Sequence, residues 1–127
     1  MFEITKYYPN IQVELEPGIY SLNPDSGQGK TWLAAVLAQY CSFGEPVNSY
    51  SYTDYKRGLS LDAVLNKDNL KLLVVDRYDM LPPELSEQLD EAEDIIILLA
   101  CRQGYSGKRR AYSCNLQLEE NLFKITK

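Results

Sequence analysis

Two segments, each built on a continuous apolar run, Leu72–Val75 and Ile95–Cys101, do most to limit what this chain can fold into. Leu70–Leu81 reads LKLLVVDRYDML and Asp94–Arg102 reads DIIILLACR. Neither alternates with polar residues, so each predicts a strand buried on both faces, as in a parallel sheet covered by helices. Between them lies PPELSEQLDEAE, Pro82–Glu93. Its prolines stand at the start, its acidic residues fall in the first turn, and Leu85, Leu89 and Ala92 share one side, which predicts a helix. Strand, helix, strand with both strands buried implies an α/β layer fold.

The rest of the chain extends that pattern. IQVELEPGIYSLN, Ile11–Asn23, divides at Pro17-Gly18 into two extended pieces. Leu33, Val36, Leu37, Tyr40 and Cys41 follow the spacing of one helix face, and that helix is expected to stop near Gly44 and Pro46. VNSYSYTDY, Val47–Tyr55, has the β-branched and aromatic content of a strand, and SLDAVLNK reads as a short helix with Ser60 as N-cap. The tail, Ala111–Lys127, predicts two strands joined near Glu119–Asn121. GYSGKRRAY, Gly104–Tyr112, with two glycines and a basic triplet, is expected to be a mobile loop. The fold class expected is a three-layer α/β domain spanning 1–127, its sheet mainly parallel with antiparallel edge strands.

Composition removes several functions. A net charge of -5 runs against a general nucleic-acid binder, and scattered tyrosines such as Tyr7, Tyr8, Tyr50, Tyr52, Tyr55 and Tyr105 suit sheet faces better than base stacking. Nucleic acid therefore stays open as a partner but unsupported, since only a local basic patch would favour it. The chain has 0 histidines, which excludes a Ser-His or Cys-His nucleophile and the usual zinc spacings. Cys41, Cys101 and Cys114 read as small buried hydrophobes, and their odd number favours a reducing, cytoplasmic setting. No run approaches the ~18 apolar residues of a membrane span.

The segment from Tyr20 to Tyr40, YSLNPDSGQGKTWLAAVLAQY, carries the chemistry. A strand leads into small residues, then Lys-Thr, then a helix. Gly27 and Gly29 permit close backbone approach, so successive N–H groups can face a phosphate, and a helix starting near Lys30 adds its positive end. Pro24-Asp25-Ser26-Gly27-Gln28-Gly29-Lys30-Thr31 resembles the Walker A motif of the P-loop nucleoside triphosphatases, G-x-x-x-x-G-K-[ST], departing from it at Pro24. The resemblance implies that Asp25, Ser26, Gly27, Gln28, Gly29, Lys30, Thr31 and Trp32 surround a nucleotide. It further implies that Lys30 neutralises the β- and γ-phosphates and that the Thr31 hydroxyl ligates Mg²⁺.

Leu72-Leu73-Val74-Val75-Asp76 resembles the second motif, Walker B, whose aspartate holds Mg²⁺. Room for a helix and a strand between Lys30 and Asp76 is similar to the division in which an extra strand separates the two motif strands, which includes AAA+ and ATP-binding-cassette cores. That division usually has a glutamate after the aspartate to polarise water. Here Arg77 stands there, and a guanidinium cannot accept a proton. Hydrolysis is therefore expected to be slow, or another carboxylate serves, with Asp79 nearest in sequence and Asp25 or Glu45 only if the fold delivers them, or a protein partner or second copy completes the site. Arg77 either holds the γ-phosphate or pairs with Asp79 or Glu84. Arg102 stands where related enzymes sense the γ-phosphate, and Lys108, Arg109 and Arg110 either reach phosphates or a partner or are simply solvated.

The nucleotide implied is ATP. NKDN at Asn66–Asn69 lacks the last aspartate of the guanine-gripping N-K-x-D and precedes the Walker B strand, and no D-x-x-G follows Asp76. The S-G-G-Q signature and a C-terminal helical lid are also missing. The resemblance therefore implies an ATP- and Mg²⁺-binding protein with slow or partner-dependent hydrolysis, or a nucleotide-binding regulatory module that hydrolyses little.

Overall fold

The computed structural model describes residues 1–22 and 29–127. Among these residues eight strands form one sheet: β1 Phe2–Ile4, β2 Asn10–Glu14, β3 Gly18–Leu22, β4 Val47–Ser51, β5 Leu72–Asp76, β6 Ile96–Leu99, β7 Ala111–Glu119 and β8 Leu122–Thr126. The helices are α1 Gly29–Ser42, α2 Tyr52–Lys56, α3 Leu61–Leu65 and α4 Ser86–Glu91. Strand order is β1-β2-β8-β7-β3-β6-β5-β4. From β7 through β4 every neighbouring pair is parallel. The antiparallel pairs, β1 with β2 and β7 with β8, lie toward one edge. The α/β class and the mainly parallel sheet thus match the expectation.

The apolar runs do what their patterning requires. Leu72 and Val74 of β5, with Ile96 and Leu98 of β6, join the core beneath α1. Leu73, Val75, Ile97 and Leu99 point the other way, into a second core with Leu61 and Val64 of α3, Leu89 of α4, and Tyr78. Leu33, Ala34, Val36, Leu37 and Tyr40 form the buried stripe of α1. Gly44 ends that helix with a φ of +90°, and the Phe43, Gly44 and Glu45 N–H groups donate to carbonyls of its last turn. On the far side, Ile11, Val13, Phe123 and Ile125 of β2 and β8 join the α1 core, and Phe123 meets Trp32 edge-on at 4.8 Å.

Several local expectations change. VNSYSYTDY is a strand only to Ser51. The Ser51 hydroxyl accepts from the Asp54 N–H while the Asp54 carboxylate accepts from the Ser51 N–H, and this capping box starts α2. Pro82–Glu93 forms a 3₁₀ turn, Pro83–Leu85, ahead of the short α4. Ser60 does stand at the N-cap of α3, but its hydroxyl makes no capping bond. β2 and β3, consecutive in sequence, are not neighbours; β8 and β7 lie between them. Glu120 and Asn121 link β7 to β8, and Asn121 takes a left-handed φ of 57°.

Leu37 has 0% exposure beneath the sheet. Leu37→Ala is expected to cost about 2–5 kcal/mol in urea unfolding, whereas Leu59→Ala, at an exposed site, should stay within about 0.5 kcal/mol of wild type.

Candidate functional site

Register sets the site. Ser21 pairs with Leu99, and Leu99 with Val75, so β3, β6 and β5 end side by side. Asp76 emerges one residue beyond that level, paired with Ser51 of β4. Ligands of open parallel sheets sit outside these carboxyl ends, because the chain leaves them in loops whose polar groups converge there. A cleft of about 410 Å³ opens here, lined by Lys30, Thr31, Asp76, Arg77, Asp79, Met80, Ala100, Cys101 and Arg102. The first turn of α1 supplies Lys30 and Thr31, the exit of β5 supplies the aspartates, and the exit of β6 supplies Arg102.

The exit of β5 is shaped by Arg77. Its φ of 52° and ψ of 45° lie in the left-handed region, which costs a residue with a Cβ roughly 1–2 kcal/mol. That turn breaks the strand and leads into a 3₁₀ turn, Tyr78–Met80. The Tyr78 N–H then donates to the Ala100 carbonyl at 3.2 Å, and the Ala100 N–H to the Val75 carbonyl at 3.0 Å, tying the two exits together. The Asp79 carboxylate accepts from the Arg102 N–H at 2.7 Å and from the Gln103 N–H at 3.4 Å. Arg77 makes no ion pair with Asp79 or Glu84 among the described residues.

Lys30, Thr31, Asp76, Asp79 and Arg102 are thus brought together, and Trp32 is not. Its ring is 49% exposed and packs on Phe123 of β8, away from the cleft. Gly29 is buried where α1 approaches β7, and a Cβ there would lie 3.1 Å from a methyl of Leu118. Pro24, Asp25, Ser26, Gly27 and Gln28 lie outside the described residues. Glu45 is at the opposite end of the sheet, before β4, where its carboxylate meets Lys6 at 4.0 Å. It is therefore not available as the water-activating carboxylate.

Two further readings change. GYSGKRRAY is not left loose, because Asp90 of α4 takes up its turn. The Asp90 carboxylate accepts from the Tyr105 hydroxyl at 2.6 Å and from the N–H groups of Lys108 and Arg109 at 2.8 and 3.0 Å. The Arg109 guanidinium donates to the Leu89 and Ala92 carbonyls at the end of α4. Gly107 allows this closeness, since a Cβ there would collide with the Tyr105 side chain. These contacts keep Arg109 against α4 rather than in the cleft, while Arg110 lies over Tyr112 at 4.9 Å.

Cys41 also departs from the buried-hydrophobe reading, being only partly buried with its sulfur 2.6 Å from Lys67 Nζ. Cys114 fits that reading, burial pushing its thiol up to about 12. Burial raises Cys101 as well, partly offset by Ser21; Asp79 raises it further while Lys30 lowers it.

A larger cleft, about 510 Å³, lies between α4 and Ser106–Lys108. Its central carboxylate, Asp90, is the one already held by the loop, and the buried Ser86 hydroxyl is shared with Tyr78 and Ser106. A scan of protein-family models, a search of curated proteins and a search of solved structures each found no match. Among the described residues, no helix is long and apolar enough to cross a membrane.

The Asp90 latch has a pH signature. Burial pushes its carboxyl up, but the Lys108 N–H, the Tyr105 hydroxyl, the Arg109 N–H and the Arg109 charge outweigh this and hold it below the usual value. Its stabilisation is therefore present above the unfolded carboxylate range, about 3.9, and is lost as pH falls through the lower folded value. Asp90→Asn should be less stable than wild type at pH 7, and the gap should narrow on titration below about pH 4.

Proposed function

We propose that the protein is a Mg²⁺-dependent ATP-binding domain of the P-loop NTPase type, with slow or partner-dependent hydrolysis. The observation that carries this reading is one cleft lined by Lys30 and Thr31 at the start of α1 and by Asp76 at the end of β5. The strand order supports it as well, because β6 lies between β3 and β5 as in the additional-strand division. Lys30 brings a flexible ammonium to the β- and γ-phosphates. The Thr31 hydroxyl and the Asp76 carboxylate are the hard oxygen donors that Mg²⁺ prefers, with water and phosphate completing its shell. Bound there, Mg²⁺ would neutralise charge developing on the phosphoryl oxygens. Arg102, from the β6 exit, adds a second cation to the same cleft.

A second reading, a regulatory module that binds ATP and hydrolyses little, is favoured by a specific observation. Of the two carboxylates that line the cleft among the described residues, Asp76 is the metal ligand in this scheme and Asp79 is engaged by two backbone N–H groups. Arg77, which follows Asp76, cannot take a proton from water. A partner protein or second copy that brings a carboxylate to the cleft would convert binding into turnover.

Mg²⁺-ATP should raise the melting temperature of the wild type, and Lys30→Ala should abolish the rise; no shift with millimolar nucleotide would contradict the reading. Steady-state turnover by the isolated protein should be very slow, and a rate on the order of ten per second or more would show that a competent base is already in place.

A further inference from the structure

We propose that Asp79 is a positioning residue for Arg102, and that the pair gives the cleft its discrimination between nucleoside triphosphate and diphosphate. The proposal rests on the nucleotide reading above and assigns Asp79 a role other than water activation. Arg102 is the third residue after Leu99, where β6 ends, and its backbone must be fixed before its side chain can serve a defined position. Two neighbouring sets of bonds supply that restraint. Ala100 is held on both sides, its N–H by Val75 and its carbonyl by the Tyr78 N–H. Next, the Asp79 carboxylate takes the N–H groups of Arg102 and Gln103. Hydrogen bonds from backbone N–H groups to a carboxylate are charge-assisted, stronger than neutral ones, and they fix direction as well as distance.

The strain at Arg77 has a place in this arrangement. Its left-handed φ of 52° turns the chain out of β5 so that Asp79, three residues after Asp76, comes back beneath the β6 exit. An ordinary extended continuation would carry Asp79 away from Arg102. Strained backbone is kept where surrounding structure needs it, and here it links the carboxylate proposed to hold the metal with the cation proposed to meet the terminal phosphate. Arg102 and Lys30 line the same cleft. Among the described residues, no ion pair occupies the Arg102 guanidinium. Its planar donors suit a phosphate oxygen pair. A diphosphate does not present the γ-group, so loss of either member of the pair should weaken ATP and spare ADP.

The test is a double-mutant cycle read by calorimetric titration of ATP and ADP, each with Mg²⁺, against wild type, Asp79→Ala, Arg102→Ala and the double variant, with folding checked by circular dichroism. Asp79→Ala and Arg102→Ala should each weaken ATP about tenfold and change ADP by less than about twofold, and the double variant should be no weaker than the worse single one. Asp79→Asn, which keeps an acceptor oxygen, should fall between wild type and Asp79→Ala, and it replaces Asp79→Ala in the cycle if that variant does not fold. Unchanged ATP affinity, equal losses for ATP and ADP, or additive losses in the double variant would overturn the role given to Asp79 while leaving nucleotide binding intact. A wild type that binds neither nucleotide would overturn both.

Discussion

Burial of β5 and β6 from both sides is the constraint on which the other features depend. A strand with no polar face cannot lie at a solvated sheet surface, so Leu72–Val75 and Ile96–Leu99 need cover above and below. α1 provides one cover and the short α3–α4 side the other. Once both strands are central and parallel, their carboxyl ends open on one rim of the sheet. The residues there are released from core packing into loops, which is why charged groups gather at Asp76, Asp79 and Arg102 and not within the strands.

The same constraint explains what is legible in the sequence. Unbroken apolar runs and a helix-period stripe depend on local patterning, and β5, β6 and α1 appear where that patterning puts them. Asp76 is legible for a related reason, because a carboxylate ending such a run can only stand at the rim. Aromatic content hides the helix at Tyr52–Lys56, although the Ser51–Asp54 capping box is present to be seen. Strand preference is weaker evidence than a reciprocal cap at a defined spacing.

Long-range partners are not legible. Nothing near GYSGKRRAY announces that Asp90, from another element, will hold its backbone, and glycines next to a basic triplet ordinarily suggest a loose loop. Asp79 is a similar case. An acidic residue two places after Arg77 looks like a substitute base, and only the fold reveals that its oxygens face the Arg102 and Gln103 N–H groups. Glu45 is excluded by topology alone, since it precedes β4 while the cleft follows it. Trp32 shares the first turn of α1 with Lys30 and Thr31, yet its ring lies against β8.

The central claim is that the rim between α1, β5 and β6 receives a triphosphate. A crystal structure with Mg²⁺ and a non-hydrolysable ATP analogue tests it most directly. The phosphate chain is predicted to lie against Lys30, with the metal between the Thr31 hydroxyl and the Asp76 carboxylate. A nucleotide seated elsewhere, or a cleft still open at saturating analogue, would contradict it.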